Sequence, residues 1–370
     1  MKVERLELVH LRMPLVRVFE TGAGRFPERE LLLVRAGSGG ASGWGEAPAG
    51  SEPVESPETV RTAWDVIRDF LAPRLRGREL SGPGPVSDLF AAVRGHPMAK
   101  AAVEMAVLDL MTRLSGRPLA PVLGGDRAEI PAGVSLGVEE RVEDVLRRME
   151  EAVGCGYRQV KIRIRPGWDL KVLAEVRRRF PSVPLVADAD GTYGIRDADH
   201  LRRLDEFGLL RLEQPLDGED LVDHARLQER IRTPVGLDQS IRSFDDARRA
   251  VEIGACRGGI EVRVPRVGGL YQAKMIHNLA RAMGIPAWCG DSLESGVGRA
   301  HAVALAALPH FTIPGDVCGS DWYYREDLVD PPVRATGRGT IMVPQGPGMG
   351  FSVGEDRLER YLVRREEVWL

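Results

Sequence analysis

The sequence predicts an α/β protein built on a (β/α)8 barrel of the TIM type, with an N-terminal α+β domain on which the C-terminal tail folds back. Strand-like apolar runs recur near residues 130, 160, 186, 211, 236, 261, 286 and 312. Helical segments fill the gaps: Val142 to Val153, Leu170 to Phe180, Arg196 to Phe207, Asp220 to Ile231, Asp245 to Ile253, Tyr271 to Met283 and Val297 to Leu308. Asp188, Glu213 and Asp238 stand 25 residues apart, with Arg163 and Arg263 one further step out on either side. Each closes a short apolar run that leads into a turn residue, the pattern of a buried strand with a polar end. A doubly wound open sheet also alternates in this way. The even step and a span of about 200 residues suit eight units around one barrel better.

Taken in order, residues 1 to 50 alternate as antiparallel strands would: VERLELVHLRMPL, ELLLVRAG and SGWGEAPAG, with a Gly-bearing loop expected at residues 21 to 30. Val60, Trp64, Ile67 and Leu71 keep helical spacing, and Glu58 is expected in the first turn of that helix, where the dipole favours an anion. Met98 to Leu114 is apolar nearly all round and should be a buried helix. Ser243, with Asp246 three residues on, is a plausible cap. The expected divisions are 1–125 for the α+β domain, 126–325 for the barrel and 326–370 for a tail packing back on the α+β domain.

The composition excludes several classes. A chain of 370 residues with 43% hydrophobic and 28% charged residues and a net charge of -3 reads as a soluble globular protein. Its Lys and Arg are interspersed with Asp and Glu, so no nucleic-acid partner is expected. The charged N-terminus and the lack of a long apolar run predict neither a signal peptide nor a membrane span, and a cytoplasmic homo-oligomer is the expectation. The four cysteines show no CxxC spacing and should be buried small hydrophobes.

At the C-terminal ends of barrel strands, Asp188, Glu213 and Asp238 would converge on the mouth. A single strand-end carboxylate is commonly a helix cap or an ion-pair partner. Three at one step repel one another unless a cation lies between them, and an all-oxygen shell suits Mg²⁺, with Mn²⁺ as the alternative.

The stretches GWGEAPAGSEPVESPETVRTAW, HPMAKAAVEMAVLDL, GYRQVKIRIRPGWD, EQPL, PRVGGL, WCGDSLESGVGRAH and LPHFTIPGD resemble, in order, the enolase superfamily. Within it the chain is similar to the muconate-lactonizing subgroup, and there to the o-succinylbenzoate synthases and N-succinylamino acid racemases. The resemblance implies that the α+β domain, completed by the C-terminal tail, is a capping domain on a modified (β/α)8 barrel, and that a Mg²⁺ is held by Asp188, Glu213 and Asp238. It also implies abstraction of a proton α to the carboxylate of a small substrate, giving an enolate that the metal stabilises. Such sites use Lys or His bases.

The departures from that pattern concern the bases. In the family a KxK strand supplies a Lys at its second position and the sixth strand supplies another on the opposite substrate face. Here Lys161 holds the first KxK position, while Arg163 and Arg263 occupy the two catalytic ones. Arg stays protonated and accepts protons poorly, which argues against two-base racemisation. In a synthase, Arg263 could stabilise the intermediate as a cation; Lys161, sharing a strand face with Arg163, is the nearest base, with a pKa lowered by Arg163 and the metal, or else a charge partner of the carboxylates.

Asp190 replaces a usual Asn, Gln239 a usual Glu and Asp291 a usual Gly. The two added carboxylates, Asp190 and Asp291, would pair with the two added guanidiniums, or Asp291 would be the base of a re-cut pocket. Glu294 would orient substrate or cap the next helix with Ser295. Phe19 and Phe26 give the loop in the 20s an apolar character against an acid-sugar substrate. His200, His224, His277 and His301 fall on helices and are expected to be packed or solvated. The leading expectation is a lyase or isomerase of the o-succinylbenzoate synthase kind, and the alternative is a non-catalytic paralogue that binds metal and carboxylate.

Overall fold

The structure is a computed structural model in which residues 1–22 and 24–370 are described. Its N-terminal unit is a four-stranded antiparallel sheet ordered Leu362–Trp369, Arg5–Thr21, Gly24–Ser38, Ala41–Ala47. The two central strands form one long hairpin, so Thr21 and residues 24 to 30, expected as loop, are strand, and residue 23 lies outside the described residues. Cross-strand pairs explain the difference: Phe19 faces Phe26 and Glu20 faces Arg25, contacts that favour pairing over a free loop.

Helix Pro97–Leu114 lies across this sheet and is buried along most of its length, as its all-round apolar sequence predicts. Strand Ala41–Ala47 packs so closely on it that a Cβ at Gly43 or Gly45 would strike the helix backbone at Leu110, Ala106 and Ala102. Glu58 does not serve its own helix, Val60–Val66, which Thr59 and Thr62 cap. Its carboxylate instead accepts from Met98 N (2.7 Å) and Ala99 N (3.0 Å), the free donors at the start of the long helix.

The barrel sheet contains seven parallel strands in sequence order: Gly133–Leu136, Gln159–Arg163, Leu185–Asp188, Arg211–Glu213, Val235–Leu237, Gly259–Val262 and Ala287–Cys289. The expected eighth strand near 312 does not form. Pro309 and Pro314 bracket the run and donate no N–H to a ladder. The stretch still fills the seam, because a Cβ at Gly133 would meet the Gly315 carbonyl and one at Gly315 would meet the Cys289 carbonyl. The run near 130 divides: Glu129–Pro131 pairs with Thr340–Met342 of the tail, and Gly133–Leu136 enters the barrel.

The intervening helices form within a residue or two of expectation, except that 195–207 is a short α turn, Ala198–Leu201, between two 3-10 turns. Ser243 caps its helix, accepting from Asp246 N at 3.2 Å. Strand Leu362–Trp369 pairs with the first strand, from Arg5 opposite Trp369. Three cysteines are buried as expected, whereas Cys155 is exposed at the end of its helix, where neighbours pack on one side only. Among the described residues no helix is long and apolar enough to cross a membrane.

Candidate active site

Parallel pairing sets Arg163 opposite Asp188 and Asp188 opposite Glu213, and Asp238 follows the next strand. The three carboxylates therefore form a buried row at the strand ends. Glu261 joins them, two residues before Arg263 and hence on the same strand face. Oxygens of Glu213, Asp238 and Glu261 lie within 4.8 Å of one another. This tightest trio has Glu261 where the sequence suggests Asp188. Asp188 is drawn aside by its strand neighbour Lys161, whose Nζ is 3.3 Å from Asp188 Oδ2. Neither Asp188 Oδ2 nor Glu261 Oε1 has a hydrogen-bond partner among the described residues.

Burial drives Glu213 up to about 7 against the pull of Lys161, and drives Glu261 well above its ordinary value. Burial also pushes Asp238 upward, but Arg263 and Arg266 outweigh it and hold this carboxyl well below its usual range.

Lys161 points into the cluster as strand alternation requires, but it has not become the neutral amine that a lowered pKa would give. Its ammonium is fully buried and contacts Glu213, Asp316 and Asp188. Burial alone would lower its pKa; Asp316, Glu213, Glu261 and Asp188 together raise it well above that of a free lysine. Arg163 pairs with Asp190, and its guanidinium lies over the Phe19 ring at 5.6 Å. Asp190 adopts the left-handed conformation (φ 50°) tolerated by Asp and Asn, and also accepts from Gly22 N (2.9 Å) and Gln239 Nε2 (2.8 Å).

The other expected pair is rearranged. Arg263 donates to Asp238 through Nε and Nη2 (2.9 and 3.0 Å) and to Glu261 Oε2 (3.1 and 2.9 Å). It reaches Asp291 only at the main-chain oxygen. The Asp291 carboxylate belongs to Arg299, which places Nε and Nη2 at 3.0 and 2.7 Å from Oδ2, while Oδ1 accepts from Leu293 N at 2.6 Å. Arg299 sits one helical turn into Gly296–Ala306, a position with no strand-end signature. Glu294 is buried and accepts from Ser292 N at 2.5 Å. Ser295 caps that helix without Glu294, and Glu46 from the cap takes Ser295 N, Ser295 Oγ and Gly298 N at 3.0, 2.6 and 2.9 Å.

Above the carboxylates lies a cleft of about 1150 Å³ closed by the cap. Phe19, Arg163, Arg263 and Asp291 line it, together with Arg29, Arg266, Asp316 and Tyr323. Lys161, Glu294 and Phe26 are not among its lining residues. Phe26 turns away beneath the Arg29 guanidinium. The four helical histidines are packed, with His301 Nε2 donating to the Trp44 carbonyl at 2.8 Å and His200 against Asp169. Glu261, readable from strand alternation with Arg263, and Asp316, inside the quoted LPHFTIPGD stretch, escaped the sequence reading.

Residues 6–124 match the mandelate racemase / muconate lactonizing enzyme N-terminal domain, and residues 144–357 match the enolase C-terminal domain-like family. The chain belongs to the enolase superfamily. Within that superfamily it is 48% identical to an o-succinylbenzoate synthase of Geobacillus kaustophilus over 97% of this chain and 96% of the relative. It is 43% identical to an N-succinylamino acid racemase of Thermus thermophilus, over 97% of each. A solved superfamily member from Listeria innocua superposes with a TM-score of 0.95 at 36% identity, covering 100% of this chain and 99% of the other.

Proposed function

We propose that the chain is a Mg²⁺-dependent lyase of the o-succinylbenzoate synthase kind, removing a proton α to the carboxylate of a small substrate and expelling water. One observation carries this reading: a buried row of strand-end carboxylates lies beneath a cleft lined by Arg163 and Arg263, whose strands have three others between them. The donors are all oxygen and include atoms on Asp188 and Glu261 that accept no hydrogen bond among the described residues, which suits a hard divalent ion. Asp188, Glu213 and Asp238 would hold it, with Glu261 alongside. When bound, Mg²⁺ supplies the positive charge that the developing enolate needs.

The remaining work belongs to side chains of the cleft. Arg163 and Arg263 offer N–H groups to substrate carboxylate oxygens, and Phe19 and Tyr323, in edge contact at 5.6 Å, keep water from that wall. Lys161 is walled in by carboxylates, and the Asp291 oxygens are committed to Arg299 and Leu293. The remaining cleft position for proton transfer is 163, where burial lowers the Arg163 pKa but Asp190 and Asp188 raise it further above that of free arginine, so the side chain stands there as a donor and charge partner and not as an acceptor. A guanidinium so firmly protonated takes up no further proton, which leaves the wild-type step slow. Replacing Arg163 by Lys should raise turnover of the dehydration by about 10²-fold or more, the usual worth of a competent acid–base group. The assay is product formation from the o-succinylbenzoate precursor, alongside α-proton exchange in deuterated water. The same Arg163–Asp190 pair favours a second reading, a paralogue that binds metal and carboxylate without turnover. That reading requires wild-type exchange to be nil, and any exchange above the uncatalysed rate rejects it.

A further inference from the structure

Each member of the tight trio Glu213, Asp238 and Glu261 is already bridged by a side-chain cation. Lys161 contacts Glu213, and Arg263 spans Asp238 and Glu261 with four contacts, using both Asp238 oxygens. Arg266 adds a further donor to Asp238 Oδ1. A divalent ion drawing one oxygen from each carboxylate therefore cannot settle beside Arg263 as it stands; at least one guanidinium contact must break.

We infer that the Arg263 guanidinium is a tethered cation standing in the divalent-metal position, which metal entry expels into the cleft. The inference rests on the metal reading proposed above. Two observations show where the ion and the side chain would go. Asp188 Oδ2 and Glu261 Oε1 accept no hydrogen bond among the described residues; they face only ion-pair partners, Lys161 Nζ standing 3.3 Å from the first and 3.9 Å from the second, so both keep lone pairs for an arriving ion. Arg263 itself borders the cleft, and its Nη1 already reaches the rim at the Asp291 carbonyl, so a rotation about its long side chain delivers the guanidinium to solvent or to a bound anion. Lysine at this position has no planar fork with which to hold both oxygens of a carboxylate, so the competition is a property of arginine. Because binding coupling is reciprocal, a carboxylate ligand that captures the released guanidinium must tighten the metal to the same degree that the metal tightens the ligand.

The test titrates Mg²⁺ alone by calorimetry into the wild-type chain and into its Arg263→Met, Arg263→Lys and Arg242→Met variants. Arg242 lines the same cleft but pairs with Glu219 and touches none of the trio, so it controls for charge. Arg263→Met should bind Mg²⁺ about tenfold or more tightly than wild type, within the range of ordinary coupling, with Arg263→Lys between them and Arg242→Met unchanged. Melting provides a second readout, since Mg²⁺ should raise the melting temperature of Arg263→Met more than that of wild type. If the Met variant fails to fold, the Lys variant decides. Unchanged or weaker affinity in both Arg263 variants, or equal tightening by Arg242→Met, overturns the inference and leaves the metal site standing. Binding by Arg263→Met with none by wild type supports it, and no binding by any of the four proteins overturns the metal reading as well.

Discussion

Arg163 and Arg299 show how a single side chain is decided by its nearest counter-ion. Both guanidiniums are buried beside an Asp that the superfamily pattern does not lead one to expect, Asp190 for one and Asp291 for the other. Removing one partner of such a pair leaves an uncompensated charge in a low-dielectric site. Arg299→Met should therefore destabilise the chain by about 3 to 5 kcal/mol, read as a lower denaturant midpoint. An unchanged midpoint would show that Asp291 is solvated or neutral in the variant. The pairing of Arg163 with Asp190 was legible in the sequence because both depart from the same pattern. That of Asp291 with Arg299 was not, since the partner lies on a helix whose facing only packing determines.

At the scale of elements, two glutamates of the cap close helices that are not their own, one within the cap and one in the barrel. Glu58 closes the start of helix Pro97–Leu114, and Glu46 closes that of helix Gly296–Ala306. Helix starts leave N–H donors unpaired, and burial makes an acceptor there worth more than at the surface. Glu58→Ala should cost about 1 to 2 kcal/mol and speed amide exchange at Met98 and Ala99 in particular. Equal protection at those two amides in variant and wild type would sink the assignment. The sequence placed Glu58 next to a helix correctly but could not say which helix, because the recipient begins about 40 residues later and meets it only in the folded cap. Its error over the eighth strand has a similar origin. Apolar periodicity near 312 is real, and Pro309 and Pro314 deny it a ladder while Gly315 still closes the seam.

For the whole molecule, Glu104 ties the two units together. It projects from the long cap helix and accepts from Leu270 N and, at 3.2 Å, from Tyr271 N at the start of barrel helix Leu270–Met283. Burial lifts its pKa from 4.5 to about 8, with the two backbone donors opposing. The folded chain thus binds this proton more tightly than the unfolded chain, so its contribution is full below about pH 4.5 and falls as pH rises through about 8. Other groups titrate across the same window, so the measurement is a difference. Wild type should lose on the order of a few kcal/mol relative to Glu104→Gln between those limits, and parallel stability curves would refute the shift.

The sequence by itself determined the repeat of strand and helix, the row of Asp188, Glu213 and Asp238, and the loss of both expected lysines. These are local or strictly periodic properties, written in residue type and spacing. Only the tertiary structure decided that seven strands and a proline-bracketed segment close the barrel, and that Lys161 is buried against Glu213, Asp316 and Asp188. It alone set Arg263 onto Asp238 and Glu261. In each case the outcome depends on which groups burial forces together across distant strands, and Coulomb attraction in that dry interior selects partners that spacing along the chain does not encode.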